Sequence, residues 1–287
     1  MTIRTGCVAV ALLTLAACGE GGEDVSTGDD PAAEETRRYK ATTTVLESPD
    51  HGPQLCLGAV ADSLPPQCGG PDIVGWDWDA VDDEESASGT TWGDYSLVGT
   101  WDGQRFTLTE PPAAAVYKDR GDFDFSTPCD PPPGGWAVID AGTATYEGQA
   151  AAMAYANEQP DYGGAWVDQS INPASGREPI DEGAMNDATK LVLNVRFTDD
   201  LDRHEAAIRE VWGGPLCVSQ ARHPIRDLRA LQGRLHEELD ALSSGVDEVR
   251  GVLEIGVVVA DPQVQESLDD RYGPGVVKLS GALQPVD

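Results

Sequence analysis

The chain has few residues whose types and spacing could do chemistry. His204-Glu205 opens like the zinc-binding helix motif H-E-x-x-H, but Ile208 stands where the second histidine belongs. The remaining histidines, His51, His223 and His236, have no second ligand at metal spacing, so the expectation at 204–205 is a solvent-facing pair on a helix. No serine sits in G-x-S-x-G, the strand-to-helix turn that exposes a nucleophile, and no phosphate-cradling glycine loop is present. A dispersed Ser-His-Asp set is recognisable only in space. The densest carboxylate run is WDWDAVDDEE, residues 76–85. Asp77 and Asp79 match the start of a calcium loop, but Val81 and Asp82 stand where a further ligand and the turn glycine belong. Asp77, Asp79, Asp82 and Asp83 are therefore only a loose calcium candidate. The favoured expectation is a solvated acidic loop with Trp76 or Trp78 turned to the core. No cofactor is expected.

Residues 1–17 have the layout of an export signal. Arg4 gives a positive start, Cys7 to Leu15 is almost wholly apolar, and Ala16 and Ala17 are small. The run is far short of the roughly 20 residues that cross a bilayer as a helix. Leu15-Ala16-Ala17-Cys18 resembles the lipobox of bacterial lipoproteins. That resemblance implies cleavage before Cys18 and acylation of Cys18, an anchor worth roughly 0.8 kcal/mol per buried CH₂. Residues 18–38 then read as an acidic, flexible tether, because Val25 is their one large apolar residue. The expected location is the extracytoplasmic face of the cell membrane, held through the lipid alone.

With Cys7 removed and Cys18 acylated, Cys56, Cys68, Cys129 and Cys217 remain, an even number that suits disulfides in an exported protein. Three pairings are open. Cys56 and Cys68 stand twelve apart around Pro65-Pro66, which suits a local bridge, and Cys129 would then pair with Cys217. The net charge of −31 repels a phosphate backbone, so no nucleic-acid partner is expected.

The elements that must position these residues fall into two groups. Residues 39–110 read as short strands and turns, with Tyr95–Trp101 and Gln104–Glu110 flanking the hairpin signal Asp102-Gly103. A small antiparallel β-barrel, similar to an OB-fold, is the expected solution, since closure removes exposed edges. Residues 111–133 are proline-rich and read as a linker. Residues 134–287 alternate in type. A helix over 145–156 is expected to bury Tyr146, Ala150 and Met153. A strand follows at 164–168, and another at 190–197 turns Leu191, Leu193, Val195 and Phe197 to one face. A helix capped by Asp200 comes next, then a strand at 215–219 and an amphipathic helix over 223–242. Strands at 246–249 and 252–259 precede a helix from Asp261-Pro262 to Gly273 and a last strand at 276–279. The expected fold class is α+β, a barrel followed by a two-layer ferredoxin-like α+β domain.

Several stretches of the second part resemble the propeptides of secreted bacterial serine proteases related to streptogrisin and alpha-lytic protease: GGAWVDQ (163–169), LVLNVRFTDDLDRHEAAI (191–208), IRDLRALQGRL (225–235), VDEVRGVLEIGVVV (246–259) and RYGPGVVKL (271–279). The resemblance spans roughly residues 160–282. It implies an α+β fold that guides and then inhibits a protease. With no protease sequence after Asp287, any such role is expected on a separate chain. The expected function is a non-catalytic surface lipoprotein that presents a binding or regulatory module to an envelope or secreted protein. An inhibitor or folding partner of a separate secreted protease is the runner-up, and an envelope hydrolase the third reading.

Overall fold

The structure, a computed structural model, describes residues 37–117 and 123–286. The signal segment, Cys18 and most of the expected tether lie outside the described residues. The first strands are β1 (Arg38–Ser48), β2 (His51–Leu55), β3 (Asp72–Val74), β4 (Glu85–Ala87), β5 (Thr90–Trp101), β6 (Arg105–Leu108) and β7 (Ala113–Ala114). Then come α1 (Tyr146–Glu158), β8 (Tyr162–Asp168), α2 (Glu182–Met185), β9 (Val192–Phe197), α3 (Leu201–Arg209) and β10 (Leu216–Gln220). The last elements are α4 (Ile225–Glu238), β11 (Ser243–Asp247), β12 (Val252–Val259), α5 (Pro262–Tyr272) and β13 (Val277–Pro285). The fold is α+β, with a ten-stranded sheet and a three-stranded one.

The alternating residues of β1 turn Tyr39, Ala41 and Val45 inward against Leu55, Ile73, Tyr95, Leu97 and Phe106. β1 runs antiparallel to β5 from Arg38 opposite Thr100 to Glu47 opposite Thr91. The hairpin at Asp102-Gly103 forms as its residues require. Gly103 takes φ +95°, and the Asp102 carboxylate accepts from the N–H groups of Gln104 (2.8 Å) and Arg105 (2.7 Å). β1 pairs with β2, β2 with β3, β3 in parallel with β6, and β6 with β5, so the pairings return to β1.

The strands after the proline-rich segment do not make the one sheet that a ferredoxin-like domain needs. β8, β9 and β10 form the three-stranded sheet, with β8 antiparallel and β10 parallel to β9. β11, β12 and β13 join the ten-stranded sheet instead, through Tyr39 opposite Pro285 and Lys40 opposite Gln284. β8 does not pair with β11, and Glu248, just past the end of β11, lies against β8 instead. The register of β8 shifts between Tyr162 and Gly164, Gly164 takes φ +128°, and the Glu248 carboxylate accepts from the Ala165 N–H at 3.3 Å. A side chain thus satisfies a backbone donor on the edge strand of the three-stranded sheet.

α1 and α3 pack on β8–β10 around Phe197, Ile208 and Trp212, and α4 and α5 pack on β12 and β13 around Leu235, Ile255 and Leu268. α4 buries Ile225, Leu228, Leu231 and Leu235 on one stripe, as its periodicity predicts. Two helix expectations are corrected. α1 buries Gly148, Ala152 and Ala156, while Tyr146 is exposed. A methyl at Gly148 would come within 2.0 Å of the Thr143 carbonyl oxygen, so close backbone approach, not side-chain bulk, sets that face. Asp200 does not cap α3: it sits in the left-handed region at φ +49° without a side-chain cap, and Asp199 accepts its N–H.

Candidate functional site

The residues singled out for chemistry are placed as follows. His204 is fully buried, not solvent-facing, so that expectation is corrected. Its ring stacks on Phe197 with centroids 3.7 Å apart. Nδ1 meets the Tyr155 hydroxyl at 2.9 Å, and Nε2 lies 2.9 Å from the Asp161 carboxylate and 3.1 Å from the Arg203 guanidinium. His236 is exposed, with Nδ1 3.1 Å from the Ser244 hydroxyl. Among the described residues no carboxylate lies within 4.0 Å of His236, so this Ser-His contact lacks an orienting acid.

The calcium candidates are not assembled. Asp77 accepts from the Asp79 N–H within a short 3-10 turn, and among the described residues no three His, Cys, Asp or Glu side chains could hold a metal. Trp76 and Trp78 are half-buried beside Tyr95, and the Trp78 indole donates to Glu47. Around Tyr95, burial and the carboxylates of Glu84, Asp83 and Asp82 push the phenol above its ordinary range.

Both disulfides are present, Cys56–Cys68 with Cα atoms 5.5 Å apart and Cys129–Cys217 at 5.8 Å. The second has a positional consequence. Cys217 lies on β10, and Cys129 follows a segment, 123–128, that falls within the expected proline-rich linker. That segment instead roofs one face of the three-stranded sheet. The Trp166 indole donates to the Phe125 carbonyl (3.0 Å), and the Asp168 carboxylate accepts from the Thr127 N–H (2.8 Å). Burial works against the Asp168 charge, but the N–H groups of Ser170 and Thr127 outweigh it and hold its carboxyl below the ordinary range.

Beneath and beside this roof lie two adjoining cavities of about 830 Å³ and about 780 Å³, which share Phe123, Trp166, Asp247, Val249 and Glu254. The first opens toward Arg196, Ser219 and Lys278. The second runs along β11, whose one strand neighbour is β12, over the small side chains of Ser243, Gly245, Gly256 and Ser280. Phe123 and Phe125 stand at the rim, 61% and 47% exposed, with ring centroids 6.0 Å apart.

Charge in the groove is only partly paired. Arg250 is held by Asp247 (2.6 Å) and Glu254 (3.6 Å), and Glu248 by Arg229 (3.1 Å). Arg196 instead donates to backbone carbonyls, Val249 at 2.7 Å and Gln220 at 3.0 and 3.3 Å. Burial and then the neighbouring Arg222 lower its pKa. Sequence reasoning missed Phe123, Phe125, Arg196 and Ser219. The usable signal was Phe-Asp-Phe, two aromatics flanking an acid inside a segment read as a proline-rich linker, just before Cys129.

No protein-family model matches this chain, and neither a curated protein nor a solved structure matches it.

Proposed function

We propose that this chain is a lipoprotein anchored at Cys18 on the extracytoplasmic face of the cell membrane, whose folded part binds an envelope or secreted protein without catalysing a reaction. The observation that carries the reading is the groove under segment 123–128, rimmed by the exposed Phe123 and Phe125 and braced by Cys129–Cys217. Exposed aromatics beside a cavity, on a braced segment, fit a partner-binding surface because aromatic anchors carry most of the energy of such interfaces. The closed circuit of pairings β1–β2–β3–β6–β5 supports a small β-barrel of OB order as the scaffold of the first half. The test uses the full chain in its membrane. A photo-crosslinker at Phe125 is expected to give one discrete adduct with an envelope or secreted protein, lost on Phe123→Asp. Absence of any adduct, or turnover of a peptide or glycan panel by the purified protein, overturns the reading. An alkyne fatty acid should label the protein, and Cys18→Ala should abolish the label.

The runner-up is an inhibitor or folding partner of a separate secreted protease. The resemblance across residues 160–282 favours it. Inhibition of a streptogrisin-type protease by the intact protein would promote it over the first reading. An envelope hydrolase has weaker support, since among the described residues the Ser244–His236 contact has no acid behind it.

A further inference from the structure

Arg196 is a half-buried cation of the groove that has no carboxylate within salt-bridge reach among the described residues. The chain carries 50 acidic against 19 basic residues, so carboxylates are abundant. Yet among the described residues none lies within 4.0 Å of this half-buried guanidinium. Asp247, the acid that most offsets its charge, is engaged with Arg250. Of the five N–H donors of an arginine, three are spent on the carbonyls of Val249 and Gln220, leaving two. Ser219 lies directly across from Arg196 in the β9–β10 register, so both side chains project from one face of the sheet. The Ser219 hydroxyl oxygen is buried and has no hydrogen-bond partner among the described residues. Lys278, on the opposite wall, is exposed and has no carboxylate within 4.0 Å among the described residues. A half-buried cation, a buried orphan hydroxyl and a second cation therefore border one cavity of about 830 Å³. Leaving the half-buried guanidinium and the buried hydroxyl short of partners is costly, and an anion in this cavity would answer both within the field of the Lys278 charge.

The rest of the lining narrows the anion. Asp124, Asp247 and Glu254 border the same cavity, and the whole chain is at −31. A dianionic phosphate meets that repulsion twice over, whereas a single carboxylate meets it once. Phe123, Pro128, Trp166 and Val249 supply apolar surface next to the cations. Resting on the groove reading above, we infer that this end of the groove binds the C-terminal carboxylate of a partner polypeptide whose last side chain is apolar. Arg196 and Ser219 hold the carboxylate oxygens, and Phe123 and Trp166 take the side chain.

The test is fluorescence anisotropy with the full chain in detergent. The probes are N-terminally labelled Gly-Ala-Ala-Leu-Phe as the free acid and as the C-terminal amide. The acid is expected to bind about tenfold or more tighter than the amide, as for a charge-assisted hydrogen-bonded pair. Arg196→Gln should erase that difference. Because Arg196 also ties β9 to Val249, Lys278→Gln serves as a second variant, at an exposed side chain with no salt bridge among the described residues; it should weaken the acid a few-fold and leave the amide unchanged. Equal binding of acid and amide overturns the carboxylate inference, as does failure of the acid to bind. Displacement by inorganic phosphate at lower concentration than by acetate overturns it in favour of a phosphate site. The crosslinking experiment at Phe125 judges the groove independently, so an adduct there with equal acid and amide affinities retires this inference alone.

Discussion

Inside the packing of α1 and α3 on β9, the His204 ring has two nitrogens and three polar neighbours. Nε2 cannot both donate to Asp161 and accept from Arg203. Asp161 at Nε2 and the Tyr155 hydroxyl at Nδ1 give both ring nitrogens a hydrogen-bond partner in a side chain with no solvent access. Tyr155→Phe removes one partner from this buried ring and should cost about 1–3 kcal/mol in urea unfolding. His204→Phe keeps an aromatic stack on Phe197 but deprives Asp161, whose other oxygen already lacks a partner, so it should cost more than Tyr155→Phe. Equal losses would mean that Asp161 finds water instead. A second residue-scale expectation concerns Asp187. Hydrogen bonds from Lys190 and Thr189 bring its pKa down from 3.8 to about 2. A carboxyl depressed in the folded state stabilises at pH above its unfolded value, and that contribution fades as pH falls from near 4 through about 2. The contribution is small, because Lys190 is about half exposed and solvent screens the pair. Carbon-13 titration should place the Asp187 midpoint near 2, and Lys190→Met should move it up toward the ordinary value.

At the scale of elements, the two disulfides differ in what they hold. Cys56–Cys68 closes a loop with a sequence separation of 12, and Cys129–Cys217 one of 88. In the chain-entropy account the longer closure restrains the unfolded chain more, about 4.5 kcal/mol against about 3 kcal/mol. It also pins the roof that shapes the groove. Cys129→Ser with Cys217→Ser should therefore lower the melting temperature more than Cys56→Ser with Cys68→Ser. The long-bridge variant alone should raise hydrogen exchange at Thr127 and weaken the crosslink at Phe125. Spacing suggested the Cys56–Cys68 bridge and left Cys129 with Cys217 as the remainder of three open pairings, whereas β1, β5, β6, β9 and α4 were legible because period-2 or period-3.6 burial is their dominant signal. The face of α1 was not, because small residues carry its packing and larger ones point outward. β11 begins at Ser243, three residues before its first valine, because Ser-Ser-Gly supplies backbone pairing without an apolar pattern. The groove was least legible. Proline density in 111–133 correctly excludes a central strand, but it says nothing about whether an irregular segment packs, and Trp166, Asp168 and Cys217 decide that from far along the chain.

For the whole molecule, the decisive feature is the route of β13. The strand lies between β12 and β1 in the long sheet, and Leu283 on it is 1% exposed within the cluster of Tyr39, Leu97 and Phe106. Val277 on the same strand belongs to the cluster under α4 and α5. One strand therefore contributes to two cores, one on each side of the proline-rich segment. Residues 37–287 accordingly form one compact unit by their contacts. Two cores that share a strand cannot melt independently, because losing β13 exposes apolar surface in both. Calorimetry of the intact protein should show a single transition with van't Hoff and calorimetric enthalpies equal. Leu283→Ala should lower stability by about 2–5 kcal/mol, as for other fully buried leucines. It should also speed exchange in β12 as well as in β5, although its side chain sits in only the first core. Two resolved transitions, with Leu283→Ala moving one of them, would mean that the β1–β13 pairing is a weak seam and that the two halves fold as separate domains.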